Sequence, residues 1–308
     1  METLRGLETL PDPRFRDSCV TWGVFDGVHV GHRKVLRRLL ETAGEDPSVV
    51  VTFDRHPLEI LHGKEVPLVV PVEERLRRIE ECGVSMALVL PFTRDFAETS
   101  PEGFVREIIL GRVGARAILL GHDSHFGKDR RGDFEMLREV GSRLGIHVEA
   151  CEPAMHRGHP VSSTLIRAAI SDGRLEDASH MLARPVTLWG TVVRGDRRGA
   201  ALGFPTANVD TGSMIRPPLG VYAVEAVLGG RLYAGVANLG RRPTFHGEGA
   251  PTVLEVHLLD FEGAELYGAS LEVRFLDRVR EERKFSGPAE VRRQIEADIA
   301  AVRDRNRS

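Results

Sequence analysis

The chain has 308 residues, 42% of them hydrophobic and 28% charged, with a formal net charge of −3. That length suits two domains, the composition suits a folded globular chain, and the weak acidity argues against an overall electrostatic footprint for nucleic acid. The N-terminus has no apolar core and no apolar run nears ~18 residues, so neither a signal peptide nor a membrane span is expected. Cys19, Cys82 and Cys151 are far apart and form no CxxC pair, which reads as reduced thiols in a cytoplasmic protein.

The first half alternates strand and helix patterns. Ser18-Cys19-Val20-Thr21-Trp22 reads as a strand, and Val35, Leu36, Leu39 and Leu40 as the apolar face of a helix. Between them lies Gly23-Val24-Phe25-Asp26-Gly27-Val28-His29-Val30-Gly31-His32. Backbone N–H groups on such a strand-to-helix turn suit phosphate, and histidines three apart can face one anion as charge moves onto a leaving pyrophosphate. A glycine turn can equally be structural, and paired histidines can bind zinc. With no cysteine nearby and no HExxH pattern, zinc is the weaker alternative.

Ser48-Val49-Val50-Val51-Thr52-Phe53 and Met86-Ala87-Leu88-Val89-Leu90 read as strands buried on both faces. Val72, Leu76 and Ile79 mark a helix closed by Gly83. Ser100-Pro101 looks like an N-cap followed by Pro at the first helical position, with Phe104, Val105, Ile108 and Ile109 as the apolar face. Residues 117–121 and 146–150 complete five strands. This order predicts a parallel sheet covered on both faces, with ligands beyond the carboxyl ends of its strands. Residues 23–32, 54–57 and 121–127 all fall there. Thr52-Phe53-Asp54-Arg55-His56-Pro57 can be a plain strand end or a wall of the ligand site. Ser162-Ser163-Thr164-Leu165-Ile166-Arg167 can be an ordinary N-cap, or hydroxyls and a guanidinium fork on a polyphosphate.

After a helix ending near Leu182 the pattern changes, and the boundary is placed at residue 184: one domain over 1–184, the other over 185–308. Leu254, Val256 and Leu258, then Leu271, Val273 and Phe275, alternate with polar residues, as do Tyr222, Val224 and Ala226. Half-buried antiparallel strands in a small barrel fit this best, and Val291, Ile295, Ile299 and Val302 form one stripe on a terminal helix. The run from Gly190 to Gly199, with Gly195, Arg197 and Arg198, can be a solvated turn or a phosphate cradle. Thr206 and Asn208, two apart in an extended stretch, point the same way and offer neutral oxygens to a hard Mg²⁺; a β-turn before a strand is the competing reading.

These motifs resemble a known family. Residues 23–32 are similar to the GxFDGxHxGH signature of HxGH-type nucleotidyltransferases in the form found in bacterial FAD synthetases. Residues 52–57 resemble their TFxPHP segment, and Ser162–Arg167 their SSTxIR run. Gly203-Phe204-Pro205-Thr206-Ala207-Asn208 resembles the GFPTAN motif of riboflavin kinases, and it is followed in family order by residues 220–222, 235–245, 266–268 and 280–285. The resemblance covers about Val20 to Ile299 and implies a bifunctional bacterial riboflavin kinase/FAD synthetase. The fold it implies is α/β followed by β: a Rossmann-like HxGH nucleotidyltransferase domain, then an antiparallel β-barrel riboflavin kinase domain with a terminal helix.

It further implies that Glu255 is the base for the ribityl hydroxyl, and that His29, His32 and Arg167 stabilise adenylyl transfer. Gly23, Phe25, Asp26, Gly27, Gly31, Asp123, Ser163, Thr164, Gly195 and Arg197 would hold ATP phosphates. His56, Pro57, Phe126, Arg280 and Phe285 would meet the flavin, and Thr206 and Asn208 would hold Mg²⁺. FMN and FAD enter as substrate and product, with no nucleic acid or membrane partner. One motif departs: Gly121-His122-Asp123-Ser124-His125-Phe126-Gly127 carries Ser124 where the family has an aromatic. The alternatives are a kinase whose first domain works poorly on FMN, or a non-catalytic flavin- or nucleotide-binding regulator.

Overall fold

In a computed structural model, residues 1–8, 10, 12–195, 198–241, 252–263 and 266–305 are described. The chain divides into two compact units, Met1–Leu165 and Ile166–Ser308.

The first unit is built on a six-stranded, wholly parallel sheet. Its elements are β1 (Glu2–Arg5), β2 (Ser18–Trp22), α1 (Val30–Ala43), β3 (Ser48–Phe53), α2 (Pro57–His62), α3 (Val72–Glu81), β4 (Met86–Leu90), α4 (Arg94–Ala97) and the single turn α5 (Pro101–Gly103). A π-helix (Phe104–Val113), β5 (Ala115–Gly121), α6 (Phe134–Leu144), β6 (His147–Cys151) and the hairpin β7 (Met155–His156) and β8 (His159–Pro160) follow. Strand order is β1-β4-β3-β2-β5-β6. The chain steps outward from β2 to β4, then returns to build β5 and β6 on the other side. The switch lies between β2 and β5, so the crevice beyond their carboxyl ends is the place for a ligand. Residues 23–32 leave β2 and residues 121–127 leave β5, so both border that crevice.

The strands β2, β3 and β4 are buried along their whole length, as continuous apolar runs in a sheet covered on both faces must be. One core holds Phe15, Val20, Val51, Leu88 and Leu120; the opposite face packs Leu36, Leu39, Val50, Ile79 and Leu119. Two features depart from expectation. The edge strand β1 has too few apolar residues to signal itself and exists through parallel pairing with β4. The helix capped by Ser100 begins as expected, but Phe104–Val113 is wound as a π-helix. Its buried residues Phe104, Ile108, Ile109 and Val113 recur at four, five and nine, the spacing of the wider i→i+5 turn. Gly111 admits it: a Cβ there would lie 3.0 Å from the Arg106 carbonyl oxygen.

The second unit begins within α7 (Ser163–Ser171) and includes α8 (Leu175–Leu182). Six antiparallel strands follow: β9 (Val186–Val193), β10 (Ala207–Asp210), β11 (Gly220–Leu228), β12 (Arg231–Arg241), β13 (Thr252–Leu258) and β14 (Ser270–Arg280). They close into a barrel in the order β10-β13-β12-β11-β14-β9, with α9 (Arg198–Ala201) between β9 and β10. Tyr222, Val256, Val273 and Phe275 fill the interior, as strict alternation predicts. Val221, Ala223 and Val236 point outward and are covered by α10 (Pro288–Arg305) through Val302 and Ile299.

Candidate functional sites

The turn after β2 is strained. Phe25 and Val28 have φ of +52° and +41°, alongside Gly27 at +87°. A β-branched residue in that region costs of order 1–3 kcal/mol and persists only where its surroundings impose it. The surroundings are specific. The Val24 carbonyl accepts from Thr52 Oγ1 at 3.2 Å and from Arg75 Nη1. The Asp26 carboxylate, 1% exposed, accepts the Val69 and Val70 N–H groups at 2.9–3.1 Å. The Asp26 carbonyl accepts from Ser163 Oγ at 2.8 Å, so two motifs 137 residues apart meet in one hydrogen bond.

His29 is the N-cap of α1, and its Nδ1 accepts the His32 N–H at 3.3 Å. Nδ1 is thus the accepting nitrogen, and in the neutral ring the proton lies on Nε2. The His32 ring stacks on it, centroids 3.5 Å apart. Gly31 makes this possible, since a Cβ there would lie 3.1 Å from the His29 ring. His32 is held well below the ordinary value of 6.5, first by burial and then by the neighbouring His29 and Arg75. It is a neutral imidazole at physiological pH.

The other expected residues of this unit take definite places. Gly23 donates its N–H to Val51 O at 3.0 Å. His56 caps α2, Nδ1 accepting from Leu58 N–H at 3.2 Å, with Pro57 at the first helical position. Phe126 is buried edge-on against Trp22, centroids 5.1 Å apart, and close to Phe104. Asp123 is exposed on the same loop, where His125 Nδ1 lies 2.9 Å from the Asp123 carbonyl. Ser162 Oγ accepts the Leu165 N–H at 3.2 Å, which is a helix cap, and Thr164 and Arg167 lie on the first turns of α7. Arg75 had not been anticipated. The signal was present: it sits on the apolar face of α3, three residues after Val72 and beside Leu76 and Ile79, where a charge must have a reason to be buried.

On the barrel, Glu255 pairs in register with Asn208 on one side and Asn238 on the other. Directly opposed residues point to the same face. That face is the outer one, because Leu254 and Val256 fill the interior. Thr206 precedes β10. A Cβ at Gly195 would fall 2.2–2.6 Å from the Asn208 amide, and one at Gly199 3.2 Å from Thr206 Oγ1, so the backbone at both glycines packs close against these side chains. His257, two residues beyond Glu255, has Nδ1 2.8 Å from the Pro205 carbonyl and holds the stretch before Thr206. Arg280 grips buried Asp298 with three contacts of 2.8–3.1 Å, and its guanidinium lies 5.7 Å from the Phe285 ring centroid. Sequence reasoning missed Asn238 and Asp298, whose relevance exists only through register and helix docking. Arg197 and residues 242–245 lie outside the described residues.

One unit holds a strained turn suited to an anion and the other a carboxylate beside neutral oxygens, and both arrangements suit phosphoryl groups. That combination belongs to two-domain, nucleotide-dependent transferases. Residues 12–165 match the FAD synthetase family and residues 182–305 the riboflavin kinase family. The chain is 35% identical over 308 residues to the bifunctional riboflavin kinase/FMN adenylyltransferase of Escherichia coli strain K12, covering 99% of this chain and 97% of that one. It is 38% identical over 305 residues to the protein of that name from Pseudomonas fluorescens, covering 98% and 97%. Among solved structures, a Streptococcus pneumoniae protein named a macrolide-efflux protein aligns with a TM-score of 0.86 at 30% identity, over 98% of this chain and 99% of that one. Among the described residues no helix is long and apolar enough to cross a membrane. The chain belongs to the bifunctional riboflavin kinase/FMN adenylyltransferase family and is an enzyme with two activities.

Proposed function

We propose that the barrel unit transfers the γ-phosphoryl group of ATP to riboflavin, and that the first unit joins the resulting FMN to the adenylyl group of ATP, releasing pyrophosphate. The observation that carries the kinase assignment is the registered row Asn208–Glu255–Asn238 beside Thr206. Glu255 takes the proton of the ribityl 5′-hydroxyl as its oxygen attacks the γ-phosphorus. Thr206 and Asn208 offer neutral side-chain oxygens of the kind a hard divalent cation takes. The ion proposed is Mg²⁺, a hard cation that takes oxygen ligands and would share them with the ATP phosphates. When bound, it neutralises charge on the phosphates. Gly195 and Arg197 approach those phosphates, and Arg280 and Phe285 form one wall over the flavin.

In the first unit no protein nucleophile is needed. The FMN phosphate attacks the α-phosphorus of ATP. His29 and the neutral imidazole of His32, with Arg167, stabilise charge on the departing pyrophosphate. Gly23, Phe25, Gly27 and Gly31 shape the turn that receives the phosphates. Asp26 fixes that turn, and Ser163 and Thr164 close it from the other side. Asp123, His56, Pro57 and Phe126 line the approach of FMN. The boundary between the activities is placed near residue 184. The run Ser162–Arg167 then acts with the turn, as the Ser163–Asp26 bond supports. The enzyme works in the cytoplasm, where ATP and flavins are available.

The test is chromatography of flavins after incubating the protein with riboflavin, ATP and Mg²⁺. FAD appearing after FMN supports both assignments. FMN alone would leave the kinase and shift attention to Ser124 and His125, which favours the reading of a first unit weak on FMN. Absence of both products sinks the proposal.

A further inference from the structure

Arg75 is 2% exposed, and one planar fork reaches two strand ends at once. Nη1 donates to the Val24 carbonyl, beyond the end of β2, and Nη2 donates to the Phe53 carbonyl, the last of β3, at 2.8 Å. Asp26, Asp54 and Glu73 surround it electrostatically, and burial pushes its own proton affinity down. An arginine stays charged at neutral pH even so. A buried cation whose hydrogen bonds, among the described residues, go to backbone carbonyls is a costly way to join two strands that already pair. Its position gives it a further role. Val24 is the residue before Phe25, where the strained turn begins, and Thr52 binds the same carbonyl.

We propose that Arg75 is a positioning residue for adenylyl transfer: its guanidinium holds the carbonyl side of the residue 23–32 turn, so that the turn's N–H groups and both imidazoles are presented to the nucleotide phosphates. This rests on the adenylylation reading above. Two geometric observations support it independently of that reading, the buried fork and the positive φ values beside the carbonyl it holds, and the charge of Arg75 also acts on His32. His32 is also faced by the stacked His29 ring and by Phe25 at 5.0 Å. Removing the positive charge of Arg75 takes away one of the causes that hold the proton affinity of His32 down, with burial and His29 remaining, whereas a lysine keeps the charge and loses the fork.

The experiment compares wild type, Arg75→Gln and Arg75→Lys in three measurements on the full chain. These are FAD formation from FMN and ATP, FMN formation from riboflavin, and NMR titration of the His32 ring. The barrel's kinase activity is the internal check that the chain has folded. Displacing a reacting group by ~1 Å costs ~100-fold. Arg75→Gln is expected to lose FAD formation by about that factor, keep FMN formation within about twofold, and move the His32 titration upward. Arg75→Lys recovers part of the lost rate with His32 unmoved. FAD formation within about threefold of wild type in Arg75→Gln overturns the proposal. So does a large loss with the His32 titration unmoved, since damage to packing alone would explain it. Should wild type form no FAD from FMN, the adenylylation reading fails, and the His32 titration, which needs no turnover, decides the role of Arg75 in the turn.

Discussion

His32 carries a pH dependence with a definite sign. Burial, then His29 and Arg75, hold its folded proton affinity below the ordinary value of 6.5. An unfolded chain binds a proton near that value and the folded chain does not. The stability associated with neutral His32 is whole above pH 6.5 and is lost as pH falls through the range below it, at no more than ~1.4 kcal/mol per pH unit. Urea unfolding followed through Trp22 at pH 7.5 and 5.5 is expected to lose stability at the lower pH, and His32→Gln to narrow that difference. The barrel has its own single-residue test. Glu255→Gln keeps the size of the side chain and removes the base, so the turnover number for FMN formation falls by ~10²–10⁴-fold. FAD formation from supplied FMN stays near wild type; an equal loss in both would remove Glu255 from its assigned role.

Gly127 shows how the loop that leaves β5 is held in place. It has φ of +71°, and a Cβ there would lie 2.7 Å from the backbone of Pro101. The Lys128 N–H binds the Thr99 carbonyl at 2.8 Å beside it. The 121–127 loop is thus seated against the start of the π-helix, whose Phe104 packs on Trp22 and near Phe126. Gly127→Ala meets both strain and overlap, and is expected to destabilise the first unit by ~1–3 kcal/mol in thermal or urea unfolding. FAD formation should suffer more than FMN formation. A neutral substitution would mean that loop and helix adjust independently.

On the proposed reading the two activities are joined by FMN, the product of one and the substrate of the other, with no covalent intermediate shared between them. A mixture of Glu255→Gln and His29→Asn chains is therefore expected to convert riboflavin to FAD although neither does so efficiently alone. Chromatography of the mixture checks this; FMN accumulating without FAD would show that supplied FMN does not reach the second site.

Strand runs, the switch to strict alternation near residue 184 and the terminal helix stripe were legible in the sequence, because burial on one or two faces dictates periodicity within a short window. So was the glycine-rich connection from β2 to α1, since a tight strand-to-helix turn needs its glycines close together in the chain. Edge strand β1, the π winding, Arg75, and the Asn238 and Asp298 partners were decided only by tertiary structure. Each depends on a neighbour distant in sequence: β4 for β1, the space beside Gly111 for the π-helix, the Val24 and Phe53 carbonyls for Arg75, barrel register for Asn238, and α10 docking on β14 for Asp298. Local pattern fixes which residues are buried. Only closure of the fold fixes what a buried polar group finds when it gets there.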